Sequence, residues 1–94
     1  MRVTWHWKAL YDLDAIEGFI ERDNPLAARQ MERRIKQAVF MLAAHPMIGR
    51  SGRVPRTREL VVPGTPYIVA YTITKSGITV LTVLHGARKW PESI

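Results

Sequence analysis

The tripeptide Asp23-Asn24-Pro25 constrains this chain more than any other feature, because it stops one amphipathic stretch and starts another with no linker between them. Proline breaks a helix interior but suits the first helical position, where its missing N–H would have had no partner. Asn24, just before it, carries a side-chain oxygen able to cap the exposed amides of the new helix. The spacing on both sides agrees. From Lys8 to Arg22, Ala9, Leu13, Ile16 and Ile20 recur at helical intervals, with Phe19 beside them. From Pro25 to about Ala44, the inner stripe is Ala28, Met31, Ile35, Ala38, Val39 and Leu42. Two helices joined by so tight a turn are expected to form an antiparallel hairpin, and its apolar stripe must pack on something.

Only the flanking segments can supply that surface. Arg2 to Trp7 alternates, with Val3, Trp5 and Trp7 on one side, which predicts a half-buried strand. Both tryptophans are then core beneath the hairpin rather than a stacking platform for bases. His45-Pro46 ends the second helix, and Met47 to Arg56, with Gly49, Gly52 and Pro55, reads as a loop. Arg58 to Val62 predicts a short strand, and Pro63 to Pro66 a turn. Tyr67 to Thr74 predicts a second strand and Lys75-Ser76-Gly77 a hairpin turn. Ile78 to His85 is apolar on both faces, as a central strand would be. The order β-α-α-β-β-β predicts an α+β fold: a mostly antiparallel sheet, a helical hairpin on one face, and the opposite face less covered. At 94 residues the chain is expected to be a single domain, residues 1–94.

Charge narrows the choice of partner. Residues 1–32 hold six acids and four bases, whereas residues 33–94 hold ten bases and two acids. A field of that sign favours nucleic acid or an acidic protein segment. With no cysteine and three scattered histidines (His6, His45, His85), neither a disulfide nor a metal site is expected. No cofactor is expected either. No stretch is long and apolar enough to span a membrane, and the N-terminus lacks the apolar core of a signal peptide, so a cytoplasmic home is expected.

Six stretches, in this order, carry a resemblance. Trp7 to Leu13 followed by Ile16 has an "A–DL–I" pattern; Asn24-Pro25-Leu26-Ala27-Ala28 starts the second helix; Pro46-Met47-Ile48-Gly49-Arg50 has a "P–GR" exit. Thr57-Arg58-Glu59-Leu60, Tyr67-Ile68-Val69-Ala70-Tyr71 and Val83-Leu84-His85-Gly86-Ala87-Arg88 follow. Together they resemble the RelE/ParE superfamily of type II toxin–antitoxin toxins. The resemblance implies a growth-inhibiting toxin, of the kind tied to plasmid stabilisation, neutralised by a cognate antitoxin. It implies one of two targets: DNA gyrase for ParE-like members, or messenger RNA on the ribosome for RelE-like ones.

The residues favour the ParE-like branch. RelE-like ribonucleases place arginines and lysines on the sheet and often a late tyrosine. Here no tyrosine follows Tyr71, and Tyr67-Ile68-Val69 is apolar where an arginine is common in that branch. A non-catalytic inhibitor is therefore expected. If the chain is a ribonuclease, the candidates are Arg58, His85 and Arg88, with His85 as general base. The clearest cluster is Arg50, Arg53, Arg56 and Arg58, a basic run with no acid before Glu59, suited to phosphate or carboxylate. Phe40 falls on the outward face of the second helix with Arg29 and Arg33, and Trp90 sits in a polar tail; both are candidate partner anchors. Asp12, Asp14, Glu17 and Glu21 are expected to form a solvated helix face. The antitoxin is expected to bring an acidic, initially disordered segment to Phe40 and the Arg50–Arg58 region.

Overall fold

The computed structural model describes residues 1–86. Strand β1 (Val3–Trp5) leads into α1 (Trp7–Glu21) and α2 (Pro25–Ala44), followed by β2 (Arg50–Ser51), β3 (Arg58–Val61), β4 (Tyr67–Thr74) and β5 (Gly77–His85). The five strands form one sheet in the order β1-β5-β4-β3-β2. β1 runs parallel to β5, and every other neighbouring pair is antiparallel.

The helical hairpin forms where its punctuation puts it. Asn24 Oδ1 accepts from Ala27 N at 3.0 Å, and Pro25 occupies the first turn of α2. The inner stripe packs as its spacing requires. Ala9, Leu13, Ile35 and Val39 from the helices meet Val69, Val80 and Val83 from the sheet. Leu42 packs with Tyr71 and Ile78 in a second cluster. Fully burying an aliphatic side chain of this kind contributes roughly 1.5–3 kcal/mol, so this interface holds the domain together.

Three expectations are corrected. Trp7 is not a core residue of the first strand; it opens α1 and is 67% exposed. His6 makes the switch: its N–H donates to Val80 O at 2.8 Å, ending β1, while its Nδ1 caps α1 by accepting from Lys8 N at 3.1 Å. Trp5, half-buried, does pack against the main core. Second, Phe19 does not join the α1 stripe; it is exposed. Third, the segment after α2 is not wholly loop, because Arg50 and Ser51 pair with β3. The helix-free face of the sheet, expected to be less covered, carries only a small apolar cluster among the described residues. Ile68, Ala70 and Leu84 form a buried cluster, with Ile68 and Leu84 opposite each other on β4 and β5.

Asp12 departs furthest from its expected place. It is not on the solvated face of α1 but buried against β5. β1 pairs with β5 only as far as Val80. Beyond that point Asp12 takes over, its Oδ2 accepting from Val83 N at 3.0 Å and from Thr82 Oγ1 at 2.5 Å, while Lys8 pairs with its other oxygen. A buried carboxylate is tolerated when its oxygens are satisfied and its charge is matched, and here both conditions hold.

Candidate functional site

The basic segment between α2 and β3 is held at three places. The first is Tyr71 on β4, a fully buried phenol. Its hydroxyl donates to Pro46 O at 2.8 Å and accepts from Gly49 N at 2.9 Å. Burial pushes the Tyr71 pKa up, partly offset by the Gly49 hydrogen bond and the nearby Arg58 charge. Gly49 is required here, since a Cβ at that position would stand 2.6 Å from the phenol oxygen. The "P–GR" sequence is thus the exit of α2 folded around one tyrosine.

The second place is the turn between β2 and β3. Gly52 N donates to Thr57 O at 2.8 Å, and Thr57 Oγ1 to Val54 O at 2.6 Å. Arg56 takes a left-handed backbone, φ 67°, which costs a non-glycine residue roughly 1–2 kcal/mol. Its carbonyl accepts from Thr72 Oγ1 at 2.9 Å, tying the turn to β4.

The third place is Glu59. The β2–β3 register sets Arg50 opposite Glu59. Glu59 is 2% exposed, and its Oε2 accepts from both the backbone N–H and the Nε–H of Arg53, at 2.8 and 3.2 Å. Arg50 Nη2 lies 3.8 Å from Oε1. The arginine run is therefore not a set of four unmatched cations: it is built around one buried anion. Arg58 is anchored to backbone, donating to Gly49 O at 2.5 Å and to Met47 O at 3.5 Å. Between this turn and the end of β4 lies an open depression of about 690 Å³, lined by Ser51, Arg56, Arg58, Thr72 and Thr74 among others.

Phe40 stands where expected, on the outer face of α2, 77% exposed. Shallow grooves flank it on either side, one with Arg29, Arg33 and Lys36, the other with Trp5, Leu10 and Leu13. Exposed Met41, Met47 and Ile48 carry an apolar surface from the end of α2 toward Arg50. His85 is exposed at the end of β5, its ring edge-on to Tyr67 at 6.0 Å. Arg58 and His85 are not brought together. Arg58 pairs with Tyr71 and His85 with Tyr67, on opposite sides of β4 and four residues apart along it. At about 3.3 Å per residue and 4.8 Å per strand, that is roughly 16 Å between backbones. Arg88 and Trp90 lie outside the described residues. Among the described residues, no group of three His, Asp or Glu side chains could hold a metal ion, and no helix is long and apolar enough to cross a membrane.

Sequence reasoning missed Glu59 and Tyr71 as the groups that position this surface. One signal for Glu59 was available: it is the sole acid between Glu32 and Glu92.

Residues 3–90 match the model of a family described as the ParE toxin of the type II toxin–antitoxin system parDE. The chain is 44% identical over 91 residues to the candidate toxin Y4kP of Sinorhizobium fredii (strain NBRC 101917 / NGR234), covering 97% of this chain and 94% of that one. It is 37% identical over 87 residues to toxin RelE2 of Caulobacter vibrioides (strain ATCC 19089 / CIP 103742 / CB 15), covering 93% and 97%. Among solved structures, a chain of the chromosomal ParDE system of P. aeruginosa superimposes with a TM-score of 0.83 at 27% identity, covering 90% of this chain and 95% of that one. A chain of the intact E. coli RelBE toxin–antitoxin complex shares the fold, with a TM-score of 0.64 at 13% identity and coverage of 92% and 96%.

Proposed function

Because this chain belongs to the ParE toxin family of type II toxin–antitoxin systems, we propose that it arrests growth by binding and blocking an essential target, DNA gyrase, rather than by cutting RNA. The observation that carries this reading is that the Arg58 guanidinium is turned to the Gly49 and Met47 carbonyls, on a backbone that stands roughly 16 Å from that of His85 by strand geometry. A general base and a phosphate-stabilising cation must meet at one phosphodiester, within hydrogen-bond reach of it. The paired assay is direct. Purified toxin should inhibit gyrase supercoiling and leave messenger RNA intact in a translating extract. Ribosome-dependent cleavage with gyrase unaffected would reverse the assignment.

The second reading is a ribosome-dependent endoribonuclease using Arg58, His85 and Arg88. It is favoured by the name of the Caulobacter relative, RelE2, at 37% identity. It requires that His85→Ala abolish growth arrest while the fold persists; full toxicity of that variant refutes it.

Under either reading we propose neutralisation by an acidic antitoxin segment. Its apolar side chains would pack on Phe40 and the adjoining Met41–Ile48 surface, and its carboxylates would meet Arg50, Arg53, Arg56 and Arg58. Trp90 is a further candidate anchor. The ParDE and RelBE structures are toxin–antitoxin systems by name, which supports a protein partner of this kind. The test is Arg53→Glu with Arg56→Glu, assayed for antitoxin affinity at low and high salt. A weakened complex with a flattened salt slope is expected. Wild-type affinity with an unchanged slope would remove the basic turn from the antitoxin site.

A further inference from the structure

We infer that Arg56 is the residue of the basic run that grips the partner directly, at a carboxylate of an acidic peptide segment, and that Thr72 is the positioning residue that holds it in place. The inference rests on the proposal that this turn meets such a segment.

Val54 to Thr57 form a β-turn closed by a hydrogen bond from Thr57 N to Val54 O at 3.3 Å. Pro55 takes the second position and Arg56 the third, with φ 67°. A proline followed by a left-handed residue is the type II arrangement, whose third position calls for glycine or asparagine. The other positive-φ positions among the described residues, Gly64 and Gly77, are both glycines. An arginine at this place strains the turn and gives it nothing in return. Strain of this kind collects at functional sites, where the side chain it carries is the reason for it.

The neighbouring arginines are engaged within the fold. Arg50 and Arg53 meet Glu59, and Arg58 donates to Gly49 O and Met47 O. Arg56 is tied through its backbone instead, its carbonyl accepting from Thr72 Oγ1 at 2.9 Å. Its side chain is exposed, and among the described residues its guanidinium has no acid or carbonyl partner. It lines the depression of about 690 Å³ between the turn and the end of β4. With the backbone held at Thr72, the guanidinium is offered from a fixed base, and less ordering remains to be done on binding.

A guanidinium fork fits carboxylate and phosphate alike, so the kind of partner is set by what surrounds it. Val54, Pro55 and Ile73 supply apolar surface beside Arg56 and Arg58. Among the described residues, no aromatic ring lines the depression. Single-stranded nucleic acid is held by cations together with aromatic rings on which its bases stack. Cations beside aliphatic groups match a peptide that carries both carboxylates and aliphatic side chains.

The experiment titrates the full chain at low salt with two probes, a peptide of alternating glutamate and leucine and an oligothymidylate of equal charge. Glycine and asparagine both suit the left-handed backbone, so Arg56→Gly and Arg56→Asn should melt no lower than wild type. Both should lose about tenfold in peptide affinity. Arg22→Gln removes one exposed charge at the helical junction and should change that affinity by less than about twofold. Thr72→Val should weaken peptide binding in the wild-type chain and add nothing in the Arg56→Gly background, because its effect passes through Arg56. Additive losses would remove Thr72 from the positioning role. Equal losses in Arg56→Gly and Arg22→Gln, or a lower melting temperature in both Arg56 variants, overturn the inference. Tighter binding of the oligothymidylate than of the peptide, or binding of neither, does the same. If the Arg53→Glu, Arg56→Glu pair leaves antitoxin affinity unchanged, the reading beneath it fails as well. If that pair weakens the antitoxin complex while Arg56→Gly leaves peptide affinity unchanged, only the role of Arg56 is lost.

Discussion

The helical hairpin and the basic turn are held by opposite kinds of interaction. The hairpin lies on the sheet through aliphatic groups, Ala9, Leu13, Ile35, Val39 and Leu42, whose attraction is non-directional and spread over many atoms. The turn between α2 and β3 has little core of its own. Its shape depends on a few directional bonds to Tyr71, Thr72 and Glu59. A spread-out apolar interface loses stability in proportion to what is removed. A sparsely bonded turn loses its shape when one bond goes, while the rest of the domain stays folded. That contrast suits a binding protein: the scaffold is cooperative, and the contact surface is set locally.

The largest effect should come from the scaffold. Leu42, fully buried between Tyr71 and Ile78, truncated to alanine should cost about 2–5 kcal/mol. Urea titration should show the whole molecule losing that stability, with hydrogen exchange accelerated throughout. A loss confined to one segment would mean that the hairpin and sheet are not one cooperative unit.

Next comes the turn. Tyr71→Phe removes the bonds to Gly49 N and Pro46 O and leaves two polar groups near a buried ring, at a cost of about 1–3 kcal/mol. Exchange should accelerate at the Gly49 amide far more than in the helices. This phenol also carries a pH signature. Burial raises its pKa in the folded state above the ordinary value of 10.0, so the folded protein keeps the proton where the unfolded chain loses it. Stability should therefore fall as pH rises past that value, and Tyr71→Phe should remove part of this alkaline loss. Equal alkaline slopes for the two proteins would contradict the sign.

The hairpin junction should respond more weakly. Asn24→Ala deletes the cap on Ala27 N, and such caps are worth about 1 kcal/mol. The loss should appear in the melting temperature without any change in partner binding. A binding defect would mean that the two regions are coupled after all.

The smallest effect is electrostatic. Glu17 on α1 shares a hydrogen bond with Glu32 on α2, which, with slight desolvation and neighbouring acids, raises its pKa above the ordinary 4.5. A carboxyl raised in the folded state binds its proton more tightly when folded, so stability should increase as pH falls through the range just above 4.5. Glu17→Gln should raise the melting temperature slightly at pH 7, and the gain should vanish in acid. A gain of equal size at low pH would mean that the repulsion is not its source.

Most of the architecture is legible in the sequence, for local reasons. The α2 boundaries, Pro25 and Ala44, follow from a cap and a proline at one end and His45-Pro46 at the other. The β4 limits, Tyr67–Thr74, follow from turn residues on both sides of a β-forming run. The ParE-like family was legible from short patterns in order. What was read wrongly shares one cause. Extending the alternation one step past His6 places Trp7 in the strand, but the capping role of His6 depends on the chain turning there. Helix face alone puts Asp12 in solvent, and charges counted along the chain leave the arginine run unmatched. Pairing Arg50 with Glu59 across β2 and β3 changes that count.

The sequence by itself determined both helices, the strands from Arg58 to His85, where the hairpin turns and which aliphatic stripe is buried, because those follow from periods, caps and breakers within a few residues of one another. Tertiary structure alone decided the fate of the carboxylates and the phenol. Asp12 finds its partners 70 and 71 residues away, at Thr82 and Val83, and Tyr71 meets Gly49 and Pro46 22 and 25 residues upstream. Whether a polar group is buried depends on whether partners arrive to satisfy it, and here those partners come from distant strands and loops brought together only when the sheet closes.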